Sequence, residues 1–488
     1  VTAQTKSFVE GLIRMSSSER ISETSMRPDA GGGLQQAPDA GLTDVCGPDE
    51  KHTERARKKV LMVCYYYPPL IDVGCRRSTA FSKYFRKYGW EPYVISVKNP
   101  DSVYCTMGRE LPPDGITPVY TFSLVNPYKY LGKLHAILSG ILMLAGIRLK
   151  TNYFYHALCY PDIFFGWIPL TVLKGISMIR RHAIDFIYVS CSPYSSALIG
   201  VLLKKATGRP LILDYRDPFA IERPSFHESP QFRERINRRL QEFFLKNTDV
   251  FVVTSEETRQ EYIRQYPGIE DRIHTVYNGF DPVSPPRAGR KKFDRFTIVY
   301  TGLFYNYGPH HEVYTEMFFK ALRELKASGK INGSNFQFLY YGLDFRAIDG
   351  FAFDYGVSDL VVSRDRVSYE EVLEIISRSH LMLLRIVKLM ISTKLYDGIP
   401  MNVPFLAIIP GGEVEGIIRK YSPGSYIITE EGSSADVAEA IEDAMEKYRS
   451  GQMPDNRIDE FLAAFSREST SRAIMKAITE TLGHRSVR

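Results

Sequence analysis

The chain has 488 residues, room for two to four domains at ~100–200 residues each. Its 62 basic and 56 acidic residues leave a net charge of +6, too little for a dedicated nucleic-acid binder but suited to an enzyme that handles phosphates or rests on an anionic membrane. With 44% apolar and 24% charged residues, the composition is that of a globular protein and excludes a fibrous or wholly disordered chain.

Residues 1–57 carry SSSER, GGG and PDAG segments with little hydrophobic periodicity. Such a stretch buries too little surface to offset the entropy of ordering, so a disordered extension is expected. Regular structure is expected from Lys59. The run Lys59–Tyr67 (KVLMVCYYY) is a continuous apolar strand of the kind buried on both faces of a parallel sheet. Pro68 and Pro69 stop it, Ser78–Tyr88 reads as a helix and Trp90–Val97 as the next strand. The alternation continues with strands at Phe186–Cys191, Pro210–Tyr215, Val250–Thr254 and Arg272–Tyr277. Helices are expected at Ser195–Thr207, Arg233–Lys246 and Ser255–Gln265, the last opened by a Ser–Glu cap signal.

Asp281–Arg295 is rich in Pro and basic residues and reads as an interdomain linker. Strands then recur at Phe296–Thr301, Phe336–Tyr341, Leu360–Ser363, Leu381–Leu384, Val403–Ile408 and Tyr426–Thr429, interleaved with helices at His311–Lys326, Tyr369–Arg378, Glu413–Tyr421 and Ser434–Tyr448. A last helix is expected near Ser466–Leu482. The resulting division is an extension (1–57), a first domain (58–283), a linker (284–295), a second domain (296–450) and a terminal segment (451–488) packing back on the first domain. In such α/β folds ligands bind beyond the carboxyl ends of the strands.

The sequence lacks GxGxxG, a Walker A loop, HExxH, a D-x-D pair and GxSxG. No metal site is expected. Cys46, Cys64, Cys75, Cys105, Cys159 and Cys191 form no C-x-x-C pair, so neither a zinc site nor a disulfide framework follows, and a cytoplasmic protein with reduced thiols is expected. No apolar run approaches the ~20 residues of a spanning helix, and no secretory h-region opens the chain. Ala136–Ile147 is apolar and flanked by Lys129, Lys133, Arg148 and Lys150. A buried helix is the first reading of it and a contact with anionic lipid the second.

Several residues are placed where a ligand would bind. Gly302 ends the first strand of the second domain, where a glycine lets backbone N–H groups approach a diphosphate. Ser392–Thr393–Lys394 opens a short helix, so Thr393 lies at a positive dipole end and Lys394 adds a point charge for phosphate. Arg385 is a second cation for this role, because the loop after Gly302 carries no basic residue. In the first domain Gly74, Arg76 and Arg77 sit where the first strand meets its helix, facing phosphate of donor or acceptor. Asp214, Arg216 and Asp217 end a strand and read as acceptor-facing, or in part as an internal ion pair. Tyr160–Asp162 and Trp167 read as a packed loop.

Four segments in order carry a family resemblance. They are PPLIDVGCRR ending at Arg77, YPDIFFGW at Tyr160–Trp167, LDYRDPF at Leu213–Phe219 followed by VVTSEE and VYNGFDP, and VYTGLFYNYGP at Val299–Pro309 followed by STKLYDGIPMNVPFLAI at Ser392–Ile408. Together they resemble retaining glycosyltransferases of family 4 type, from Lys59 to about Leu482. The resemblance implies the α/β GT-B architecture of two Rossmann-like domains facing across a cleft. It also implies a nucleotide-diphosphate-sugar donor and work on cell-surface polysaccharide or lipopolysaccharide, so a glycan or lipid-linked acceptor is expected, with no metal or other cofactor and, from the Ala136–Ile147 run, a place at the cytoplasmic membrane face. Asp397 stands where the family usually has the Glu that grips the donor ribose, while the position of the first Glu of the E-x7-E pattern is Leu389. That departure keeps a non-catalytic partner protein as an alternative, beside a nucleotide-sugar epimerase on the same fold.

Overall fold

The computed structural model describes residues 57–101, 107–108, 110–144, 146, 152–221, 230–281, 291–304, 309–386, 388–389 and 391–485. The expected extension, except Arg57, lies outside the described residues, as do most of the linker, residues 305–307 of the loop after Gly302, Arg148, Lys150, Cys46 and Cys105.

Seven parallel strands form the first sheet: β1 (Lys59–Cys64), β2 (Glu91–Val97), β3 (Val119–Thr121), β4 (Phe186–Cys191), β5 (Leu211–Tyr215), β6 (Val250–Val253) and β7 (Ile273–Thr275). Their order is β3-β2-β1-β4-β5-β6-β7. The apolar run of β1 explains its central place. Val60 and Met62 belong to the core on one face, and Leu61 and Val63 to the core on the other. Only a strand covered by helices on both sides needs apolar residues at both parities.

The second sheet repeats the arrangement with β8 (Phe296–Thr301), β9 (Phe336–Tyr341), β10 (Val361–Arg364), β11 (Leu381–Arg385), β12 (Phe405–Ile408) and β13 (Tyr426–Ile428), ordered β10-β9-β8-β11-β12-β13. Strand order reverses between β1 and β4 and again between β8 and β11. Each reversal leaves a crevice at the carboxyl ends of the strands. Helix Arg467–Arg485 returns to the first sheet, where Ile474 and Ile478 join the core of Val60 and Met62. Lys87 Nζ lies 2.7 Å from Glu468 Oε1 across that contact.

Most expected elements appear within a few residues of their expected ends. Helix Val73–Lys87 starts five residues before the expected Ser78, because Asp72 rather than a later residue ends the extended segment. Helices Ile168–His182, Phe345–Asp354 and Ile458–Phe465 and the short strand β3 were not anticipated. The buried-helix reading of Ala136–Ile147 is overturned. These residues fall in and beyond helix Tyr128–Leu144, in which none of residues 130–144 is buried.

A candidate donor site between the two sheets

In the first lobe, helix Val73–Lys87 begins directly behind the loop that leaves β1. A Cβ at Gly74 would run into the Arg216 guanidinium, so the glycine is what admits this arginine to the helix start. Arg216 Nη2 donates to Ser192 O at 2.6 Å, and its guanidinium lies 5.2 Å from the Tyr66 ring centre. Its Nε is buried without a hydrogen-bond partner, and no carboxylate among the described residues pairs with it.

Arg77 and Asp214 have a different place from the expected one. Arg77 Nε and Nη2 donate to the two Asp214 oxygens at 2.8 and 2.9 Å, and Tyr188 OH donates to Asp214 Oδ2 at 2.5 Å. Arg77 Nη1 also donates to Tyr277 O at 2.8 Å. Asp214 is fully buried. This is an internal bidentate pair that ties β5 to helix Val73–Lys87, so neither residue faces acceptor or phosphate. Asp217 is half-buried, and its carbonyl accepts from Tyr194 OH at 2.8 Å. Asp162 accepts from the backbone of Phe164, Tyr194 and Ser195. It thereby caps helix Ser195–Thr207, and burial still raises its pKa above the ordinary carboxylate value. Trp167 is buried, with Nε1 donating to Thr121 Oγ1 at 2.8 Å.

In the second lobe the chain turns at Gly302 with φ +93°, a left-handed conformation that favours glycine. Lys394 sits against this turn. A Cβ on Gly302 would stand 3.6 Å from Lys394 Nζ, which lies 4.7 Å from the Tyr300 ring centre. No acidic partner of Lys394 occurs among the described residues. The backbone N–H groups expected to meet a diphosphate are partly engaged. Gly302 N donates to Tyr341 O at 2.7 Å, Phe304 N to Asp344 Oδ2 at 2.8 Å and Lys394 N to Ser392 Oγ at 3.3 Å. These N–H groups are therefore not free to meet a ligand, whereas the Lys394 side chain has no acidic partner among the described residues. Arg385 is buried, stacked 4.0 Å from the Phe304 ring, with Nη1 donating to Phe304 O at 3.3 Å. It braces Phe304. Thr393 is half-exposed at the helix start beside Lys394.

Asp397 and Tyr369 of the second lobe meet Arg76 of the first. Asp397 Oδ1 accepts from Tyr369 OH at 2.7 Å, and the Arg76 guanidinium of the first lobe lies 3.7 Å from the Tyr369 ring centre. Burial raises the Asp397 pKa, opposed by the charges of Arg76, Arg467 and Lys394 and by the Tyr369 hydrogen bond. The site thus gathers cations from both lobes around one buried carboxylate. Sequence reasoning placed Arg76, Lys394 and Asp397 in the cleft but missed Tyr369 and Arg467. Tyr369 follows the capping-box serine Ser368, and nothing in that local pattern distinguishes it from a core aromatic. Leu389 has φ +65°, packs on the first-lobe core and accepts from Thr258 Oγ1 at 3.1 Å through its carbonyl.

Comparison with known proteins bears on the fold. Residues 151–283 match the model of Glycosyltransferase Family 4. Sucrose-phosphate synthase from Thermosynechococcus elongatus has 14% identity, covering 88% of this chain and 100% of that one with a TM-score of 0.58. Anabaena HepE, solved in complex with UDP-glucose, has 12% identity, covering 86% and 99% with a TM-score of 0.54. The apo lipopolysaccharide outer core galactosyltransferase WaaB has 11% identity, covering 86% and 99% with a TM-score of 0.52. A search of curated protein sequences returns no match. The protein has the GT-B fold of two Rossmann-like domains, and the stretch that matches the Glycosyltransferase Family 4 model lies in its first lobe.

Proposed function

We propose that the protein transfers a sugar from a nucleoside-diphosphate sugar to a glycan or lipid-linked acceptor, with retention at the anomeric carbon, in cell-surface polysaccharide synthesis at the cytoplasmic membrane face. The observation that carries this reading is the convergence of Arg76 and Lys394 on the buried Asp397, with Lys394 set against the Gly302 turn. A sugar nucleotide presents a diol and a diphosphate, and this site offers a carboxylate for the first and unpaired cations for the second. Asp397 accepts hydrogen bonds from the ribose hydroxyls. Lys394, as a fixed point charge, stabilises the diphosphate as it departs, a transition-state effect that calls for no metal. Anabaena HepE, solved with UDP-glucose, supports a uridine nucleotide as the first donor to try.

A second reading, a GT-B partner protein without turnover, is favoured by Leu389. Its side chain packs on the first lobe, at the position where the family resemblance implies the first Glu of the E-x7-E pattern. Calorimetric titration with UDP and uridine tests the site. Asp397→Ala should weaken both ligands by about 1.5–3 kcal/mol, the scale of a hydrogen bond to a charged group. Lys394→Ala should weaken UDP far more than uridine. Unchanged UDP affinity in both folded variants would move the site elsewhere. UDP binding with no turnover across a donor panel would favour the partner reading, and donor conversion without acceptor an epimerase.

A further inference from the structure

Helix Tyr128–Leu144 (YKYLGKLHAILSGILML) is apolar around most of its circumference, yet lies uncovered by the described residues. Tyr130 is 75% exposed, Ile137 62%, Ile141 60% and Leu144 92%. A Cβ at Gly132 or Gly140 would meet nothing within 4 Å. Leu131 does touch the first-lobe core and fixes the start of the helix. The loop before it adds Phe122 and Leu124, 50% and 60% exposed. Folded soluble proteins seldom leave an apolar patch of this kind without an occupant.

Charge identifies the occupant. From Gly115 to Pro161 the sequence contains no Asp or Glu, in a chain with 56 of them, but it contains Lys129, Lys133, Arg148 and Lys150. Lys133 is exposed on the helix, and Lys98 Nζ lies 4.7 Å from the ring centre of the exposed Phe122. A second copy of the chain, docked by a two-fold axis, would set the exposed Lys98 and Lys133 against the same basic surface, with no acid from the segment to answer them. An anionic bilayer supplies both the apolar depth and the opposite charge. At ~1.5 Å per residue the helix is too short for a ~30 Å hydrocarbon core, and no described helix is long and apolar enough to cross a membrane. It therefore lies in the interface plane.

We infer that helix Tyr128–Leu144 and the loop from Phe122 form a docking face for anionic lipid membranes. The loop leaves the carboxyl end of β3, and Gly74 and Arg76 follow the carboxyl end of the parallel strand β1. The docking face and the candidate site consequently share one edge of the sheet. On the transferase reading, on which this last step rests, the acceptor is lipid-linked and reaches the cleft from the bilayer surface.

The test is co-sedimentation of the full chain with vesicles of phosphatidylcholine, with and without phosphatidylglycerol, at low and high salt. Binding is expected with phosphatidylglycerol, weakened by salt. The double variant Ile137→Asp, Ile141→Asp should lose binding at least about tenfold, and Lys133→Glu should lose the preference for phosphatidylglycerol. These positions are exposed, so melting temperature and UDP affinity in solution should not change. No vesicle binding by the parent chain, or full binding by the aspartate double variant, overturns the inference. A parent dimer that the double variant converts to monomer, without vesicle binding, overturns it in favour of a self-contact. Vesicle binding gained on deleting residues 1–55 and absent from the full chain overturns it in favour of an internal cover. If membrane binding follows the expected pattern while UDP does not bind, the docking face stands and the transferase reading fails.

Discussion

The Arg77–Asp214 pair decides more about the first lobe than either residue does alone. Two parallel hydrogen bonds and a third from Tyr188 satisfy a carboxylate from which water is excluded. Asp214→Ala would strand a buried guanidinium, and a loss of about 3–5 kcal/mol is expected on urea unfolding. A double replacement, Arg77→Met with Asp214→Ala, should recover part of that loss, because no unpaired charge remains. Asp397 is the buried carboxylate of the candidate site. Burial lifts its pKa above the ordinary carboxylate value, so it takes up a proton at a higher pH than an exposed Asp does. Nucleoside affinity is expected to fall as pH is lowered into that raised range, before exposed carboxylates titrate. In Asp397→Asn the affinity should be weaker and flat with pH over the same interval. Titration of uridine against pH checks both.

At the scale of elements, two helix starts cap one another across the lobes. Glu413, first in helix Glu413–Tyr421, accepts from the backbone of Glu256 and Glu257 at 3.0 and 3.1 Å and from Tyr277 OH at 2.5 Å. Glu257 Oε1 accepts in return from Glu413 N at 2.6 Å. Each carboxylate thus sits at the positive end of the other lobe's helix. A Cβ at Gly412 would strike Glu257, and this glycine also has φ +82°. Glu413→Gln should cost about 1–2 kcal/mol. Combined with Glu257→Gln it should be non-additive in a double-mutant cycle. A second element-level effect lies under β8. His380 Nδ1 accepts from Thr297 N at 3.0 Å, and burial lowers the His380 pKa to about 4. The unfolded chain binds this proton near the ordinary histidine value of ~6.5, while the folded chain resists it. Stability is therefore present above that value and is lost as pH falls towards the folded pKa, at about 1.4 kcal/mol per pH unit. Melting curves across this interval should flatten in His380→Gln.

Over the whole molecule, the contacts between lobes among the described residues include Arg76 on Tyr369, the reciprocal glutamate caps, Thr258 on Leu389, Tyr277 on Phe465, and the helix that returns at Arg467. Ligand held by both lobes should stabilise them together. At UDP about 100-fold above its Kd the stabilisation expected from mass action is about 2.7 kcal/mol. It should be read as a rise in melting temperature, absent in Lys394→Ala and Asp397→Ala at the same concentration. The alternation of apolar strands and amphipathic helices was sufficient for the two-sheet α/β architecture, since strands buried on both faces leave an unbroken apolar run. The same reading placed Gly302, Lys394, Asp397 and Arg76 in one cleft, because carboxyl-end loops of parallel strands share an edge. It left open whether Asp214 faced a ligand or an internal partner. Its being paired is a property of Arg77, far away in sequence, and no local pattern reports it. Nor did hydrophobicity separate a core helix from the exposed helix Tyr128–Leu144, because an apolar stretch looks the same whether a neighbour covers it or not. Local periodicity and turn chemistry are written along the chain, whereas partnership and burial depend on residues brought together only by folding.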